Sequence, residues 1–279
     1  MKGIHLYVMS IVFFLVTGRF TGYGQATYNS DSDILYYKNT GKDEDAYRSE
    51  MCRLDVYYPE ATRDFPVVLW FHGGGLTGGS KEIPEDLKNR GFAVVGVGYR
   101  LSPVVRSEQC IKDAAAAIAW VFQHIREYGG DPKQIFVSGH SAGGYLAMMT
   151  ALDKSYLGEH GVDADNIAGI VPFSGQAITH FNVRKEAGIQ DTQPVIDRFA
   201  PLWHVRADAP PMLLITGDRD MEMLGRYEEN AYLKRMMEIS GHQHTELYEL
   251  EGYGHNMVKP ALPLLIREIR KRSAEITAR

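Results

Sequence analysis

Two short stretches of this chain carry residues that could build a nucleophile and its base. The first is "GHSAGG", Gly139–Gly144, which contains G-x-S-x-G. It follows the strand-like "QIFVS" and opens the helix-like "AGGYLAMMTAL". A serine at so sharp a strand-to-helix turn holds a strained backbone and exposes its hydroxyl. Residues two before and two after it crowd each other, so glycine is needed at Gly139 and Gly143. A chance glycine-rich turn would lack the strand before it and the helix after it. Ser141 is therefore the candidate nucleophile. A serine hydroxyl is a weak nucleophile, and needs a base that is itself oriented by an acid. On a strand-turn-helix scaffold these follow in the order serine, acid, histidine. The second stretch, "EGYGHNM", supplies His255 after the last strand-like run, with glycines that let the loop bring the ring in. Between the two, "ITGDRDMEM" offers Asp218 and Asp220 just past a strand end. Of the other histidines, His242 and His244 fall in a helix-to-strand connection expected along the opposite edge of the sheet. His160, His180 and His204 are expected at the surface or in an insertion.

A third stretch is "WFHGGGLTGGSK", residues 70–81, which starts directly off the buried-looking "FPVVLW". Consecutive glycines cost backbone entropy. A flexible linker rarely starts off a buried strand, so these glycines need another purpose. Attack on an ester carbonyl creates an oxyanion, and backbone N–H groups must approach it with no side chain in the way. Glycine permits both the approach and the dihedrals.

The surrounding elements must position these groups. "CRLDVYYP" alternates as a half-buried strand, while "PVVLWF" and "FAVVGVGY" are continuous apolar runs typical of strands covered on both faces. Glu82–Arg90 is expected to be a short helix. From Ser107 to Tyr128 the residues Ile111, Ala115, Ile118, Phe122 and Ile125 recur as one helix face, ended by Gly129–Gly130. Further strands are expected at "IAGIVPFSG", "MLLITG" and "TELYEL". Helices are expected near Leu224–Ile239 and Leu262–Lys271. Strands alternating with helices imply an α/β class with a mostly parallel central sheet and helices on both faces. Residues 176–209 break that rhythm and read as a small cap-like insertion over the active site, at the carboxyl ends of the strands. Phe181, Phe199 and Trp203 within it are packing residues or pocket lining.

From about Cys52 to its end the chain resembles the α/β-hydrolase superfamily. It is most similar to the small esterases with an HGGG motif, the hormone-sensitive-lipase-like and feruloyl- and acetyl-esterase-like groups. "HGGG", "GHSAGG", "GDRD" and "GYGH" occur in that family's order. The resemblance implies the α/β-hydrolase fold and a Ser141–His255–Asp220 triad, the acid standing three after the glycine of G-x-x-D, with Asp218 helping to hold the loop. It also implies an oxyanion hole from the amides of Gly74, Gly75 and Ala142, with Gly73 an alternative donor and His72 a brace. Many relatives carry an aromatic residue after HGGG, where this chain has Leu76, so the acyl side of the pocket is expected to differ. The activity so implied is a serine carboxylic-ester hydrolase acting through an acyl-enzyme on small or carbohydrate-linked esters, acetyl or feruloyl, without a cofactor. Two alternatives are an amide-cleaving hydrolase of the same superfamily (a peptidase or formamidase) and a non-catalytic protein that kept the fold.

Composition sets the outer bounds. The 279 residues are 44% hydrophobic and 23% charged with a formal net charge of −5, ordinary for a globular chain. A mildly acidic chain without a long basic run is a poor nucleic-acid binder. No H-E-x-x-H, close Cys/His cluster, P-loop or dinucleotide fingerprint occurs, so no metal or nucleotide cofactor is expected. Residues 1–24 read as a cleaved secretory signal: Lys2, the apolar run Leu6–Val16, then Gly22 and Gly24 ahead of Gln25. That run is too short to span a bilayer, which takes about 20 residues. The expected product is exported, to periplasm or medium, with no stable membrane span after cleavage. Residues 25–50 read as a polar, loosely attached leader and 51–279 as the catalytic domain. Cys52 and Cys110 are expected to be unpaired and packed.

Overall fold

The computed structural model describes residues 27–37, 46–223 and 225–278. The expected export signal, residues 1–24, lies outside them. Among the described residues eight strands form one sheet: β1 (Tyr28–Leu35), β2 (Arg53–Pro59), β3 (Phe65–Phe71), β4 (Ala93–Val97), β5 (Gly130–His140), β6 (Gly169–Phe173), β7 (Met212–Gly217) and β8 (Thr245–Leu250). Their spatial order is β1-β2-β4-β3-β5-β6-β7-β8. The β1–β2 and β2–β4 pairs are antiparallel and all the others parallel. Among the described residues seven α-helices accompany them: α1 (Ala46–Met51), α2 (Ser107–His124), α3 (Ala142–Leu152), α4 (Lys154–Gly158), α5 (Phe181–Glu186), α6 (Arg226–Ile239) and α7 (Val258–Thr277).

The pleat sorts each central strand onto two cores. Val67, Leu69 and Phe71 of β3 join the core built with α2, α3 and α6. Val68 and Trp70, the alternate residues, join the core built with Leu262, Leu265 and Ile269 of α7. Both faces are therefore covered, as the continuous apolar runs required. Every residue of α3 is buried, so the helix that carries the serine is clamped on all sides. No helix among the described residues is long and apolar enough to cross a membrane.

Two local expectations fail for identifiable reasons. Tyr28–Leu35 falls in the expected loose leader, yet it pairs with β2 as the sheet's edge strand. Its side chains face mostly solvent, so it carries little of the apolar signal by which strands are recognised. The expected helix over Glu82–Arg90 reduces to one 3₁₀ turn, Glu85–Leu87. Pro84 precedes it, and Asn89 and Gly91 take positive φ just after it. Only Leu87 of that turn is buried, too little apolar contact to hold a longer helix. Cys52 and Cys110 are both free and buried.

Candidate active site

Ser141 occupies the one-residue step between β5 and α3, with φ 55° and ψ −115°. Strain of this kind costs about 1–3 kcal/mol and persists only where the surroundings dictate it. Here they do. A Cβ on Gly143 would stand 2.0 Å from the carbonyl oxygen of Phe71, and one on Gly139 2.7 Å from the carbonyl carbon of Gly143. The Ser141 amide donates to the Phe173 carbonyl at 2.8 Å, and its own carbonyl accepts from the Tyr145 amide at 3.0 Å. The turn is thus pinned from β6 and from the first turn of α3.

His255 reaches this serine from the loop after β8, with Nε2 3.0 Å from Ser141 Oγ. Its Nδ1 lies 2.9 Å from Glu222 Oε2. A proton on Nδ1, donated to the carboxylate, leaves the Nε2 lone pair for the serine hydroxyl. His140 supports the same ring. Its Nε2 donates to the His255 carbonyl oxygen at 2.8 Å. Burial, then the neighbouring His255, pushes the His140 pKa down to about 4, so it stands neutral at physiological pH.

The acid is where sequence and structure part. The expected Asp220 is exposed and does not meet His255. Asp218 is committed elsewhere: one oxygen accepts the Asp220 amide at 3.0 Å, the other the Gly252 amide at 2.8 Å. It ties the β7 loop to the β8 loop, and its own amide donates to the Tyr253 carbonyl at 2.7 Å. The chain then makes a helical turn, with the amides of Met221 and Glu222 both donating to the Asp218 carbonyl. That turn, with one extra methylene, returns the Glu222 carboxylate toward β6. Its Oε1 accepts from Ser174 Oγ and, at 3.0 Å, from the Gly217 amide. The Glu222 side chain is only 1% exposed. Burial alone would raise its pKa, but the donors from His255, Ser174 and Gly217 outweigh it and hold the group at about 2. In "GDRDMEM" this acid stands one helical turn beyond Asp218.

The glycine loop leaves β3 beside the serine. A Cβ on Gly73 would stand 3.5 Å from Ser141 Cβ. Gly74 and Gly75 take φ 109° and 63°. The Gly74 carbonyl accepts the amides of Thr77 and Gly78, which closes the loop. Among the described residues none accepts a hydrogen bond from the amides of Gly73, Gly74 or Gly75. His72 braces the loop from beneath. Its Nδ1 donates to the Gly73 carbonyl at 2.7 Å, and its ring stacks on Tyr99 at 4.3 Å. Gly79 completes the packing, since a Cβ there would lie 2.3 Å from His72 Nδ1. Leu76 is fully buried at φ 64°. It belongs to the core beneath the loop rather than to the wall of an open pocket.

An imidazole poised between a serine hydroxyl and a buried carboxylate can take the hydroxyl proton as the oxygen attacks a carbonyl carbon. Amides without a partner beside that oxygen suit the charge that develops. Among the described residues no group of three His, Cys, Asp or Glu side chains is placed to hold a metal ion.

Comparison with known proteins fits this geometry. The family model described as BD-FAE matches residues 54–234. The probable carboxylic ester hydrolase LipM of Mycobacterium tuberculosis is 29% identical over 74% of this chain and 54% of its own length. Esterase LipC of the same organism is 30% identical over 70% of this chain and 53% of its own. The chain therefore spans about half the length of these curated relatives. Among solved structures, Thermogutta terrifontis esterase 2 phosphoramylated by tabun superposes with a TM-score of 0.69 and 25% identity, covering 88% of this chain and 94% of that one.

Proposed function

The chain belongs to the BD-FAE family, and from that premise we propose that it is a serine carboxylic-ester hydrolase working through an acyl-enzyme. The observation that carries the reading is the unbroken relay from Ser141 Oγ through His255 to Glu222, at 3.0 and 2.9 Å. His255 takes the serine proton as Oγ adds to the ester carbonyl, and Glu222 steadies the imidazolium. The amides of Gly74, Gly75 and Ala142 receive the oxyanion. Collapse expels the alcohol, which takes the proton from His255. Water activated by the same ring then releases the acid. Small or carbohydrate-linked acyl esters, acetyl or feruloyl, are the proposed substrates, on the strength of the family resemblance. Export directed by residues 1–24 is part of the same proposal, with residues 51–279 as the catalytic domain. Fractionation of expressing cells would test the export.

The decisive test is covalent. A fluorophosphonate probe should add one mass increment, located on Ser141, and Ser141→Ala should remove it. That Thermogutta terrifontis esterase 2 is phosphoramylated by tabun supports the choice of probe. Labelling at another serine, or none on folded protein, would overturn the assignment.

A further inference from the structure

Beside Glu222 lies a cavity of about 930 Å³. Its walls come from the segment after β6, including α5, and from the start of α6. They are mainly apolar, with Ile178, Phe181 and Pro194 prominent. Phe181 also closes against the glycine loop, its Cζ 2.8 Å from where a Cβ on Gly75 would stand. The carboxylate that meets His255 is thus part of the cavity wall, and Phe181 stands between the cavity and the glycine loop. Ser141 itself is outside the lining, so the part of a substrate suited to this space is one remote from the carbonyl under attack.

Two arginines line this space, Arg184 of α5 and Arg226 at the start of α6. Each is only 3% exposed. A guanidinium so buried ordinarily sits on a carboxylate, because its charge has been taken out of water. Neither does so here: among the described residues no Asp or Glu oxygen lies within 4.0 Å of either. Arg184 donates from Nη1 to the Gln193 carbonyl and Arg226 from Nη1 to the Ser174 carbonyl. The Nε of each is buried with no partner. With five N–H donors per guanidinium, most of their capacity is unspent.

The acids in the same walls do not spend it. The Glu222 carboxylate is taken by His255, Ser174 and the Gly217 amide. Glu229 Oε2 accepts the Ala177 amide at 3.0 Å. Asp191 and Glu228 are exposed, where water screens them. Burial pushes the Arg226 pKa down; at longer range Glu229 and Glu222 favour its charge and Arg184 opposes it.

We propose that this cavity is the subsite for a carboxylate carried by the ester substrate away from the scissile bond, bound by Arg184 and Arg226. The planar guanidinium fork matches a carboxylate, and the apolar walls suit the chain or ring that bears it. The proposal rests on the esterase reading and narrows its substrate class to anionic esters.

Matched substrates test it. 4-Nitrophenyl hemiglutarate against 4-nitrophenyl valerate puts the carboxylate on the acyl side. An acetylated uronic acid against its methyl ester puts it on the alcohol side. A charge-assisted pair predicts a preference of roughly tenfold or more in kcat/KM for the charged member of one pair at low salt. Arg184→Gln should abolish that preference through KM, and Arg184→Lys should keep part of it. Equal turnover within both pairs, or a preference that survives Arg184→Gln, overturns the proposal. Calorimetry with glutarate on Ser141→Ala separates the two readings. Binding that disappears when Arg184→Gln is added supports the subsite even if no ester is turned over, and absence of binding refutes it. Failure of every ester, neutral or charged, would instead count against the esterase reading.

Discussion

The turn that holds Ser141 and the loop that holds Glu222 serve one imidazole and are built on opposite principles. The nucleophile turn is defined by backbone. Strand, serine and helix are consecutive, and two glycines are fixed by contacts that no side chain can survive. The acid loop is defined by side chains. It holds three acids within five residues, and hydrogen bonds alone decide which of them meets His255. A backbone constraint leaves a residue-type signature at fixed spacing. A reach constraint can be met by a longer side chain from a later position.

The sharpest test of that contrast lies on the nucleophile side. On the proposed mechanism Ser141 is the attacking group, so Ser141→Ala should lower kcat by about 10⁶, as triad serine removal does where the roles are established. Steady-state assay of a 4-nitrophenyl ester would measure it. Activity within a hundredfold of the parent would mean that another group attacks.

On the acid side Glu222→Gln should lower kcat by about 10⁴, while Asp220→Asn should stay within about twofold, as a surface change does. The pair can break the comparison. If Asp220→Asn proved the more damaging, the acid loop would obey the family spacing after all.

That pair also marks how far the sequence could be read. The sheet, its two-sided covering and the approach of His255 to Ser141 were legible, because apolar runs and glycine spacing encode them directly. Glu222 was not, because G-x-x-D spacing presumes an extended path from the strand end. The chain instead coils through a turn closed on the Asp218 carbonyl, and no residue type in "GDRDMEM" demands that turn. Arg184 and Arg226 were invisible for a related reason. An arginine in an insertion, like Arg184, or at a helix start, like Arg226, reads as solvated surface until packing buries it. The edge strand β1 escaped notice because its apolar content is slight.

Asp218 yields a smaller effect that separates holding the loop from doing the chemistry. Asparagine keeps one acceptor oxygen but presents an NH₂ where the Gly252 amide now donates. Asp218→Asn should therefore cost about 1–3 kcal/mol of stability, read by denaturant unfolding, with less than a tenfold loss of kcat. A loss as large as that of Glu222→Gln would make Asp218 part of the relay.

The smallest effect is one of slope, and it assigns acid lability to each region separately. The His140 pKa is depressed to about 4. Its contribution to stability is therefore complete above the unfolded value of about 6.5 and fades as pH falls through about 4. The Glu222 pKa is depressed to about 2. Its contribution is complete above about 4.3 and fades only as pH falls toward about 2. His180 is buried with its pKa lowered as well, so part of the upper window belongs to the insertion. His140→Gln, which can still donate to the His255 carbonyl, should flatten the loss of melting temperature between about pH 6.5 and 4 and leave the steeper fall below it. Glu222→Gln should do the reverse. If both variants flattened the same window, the turn and the loop would titrate as one coupled unit, and the division between them would hold for geometry but not for electrostatics.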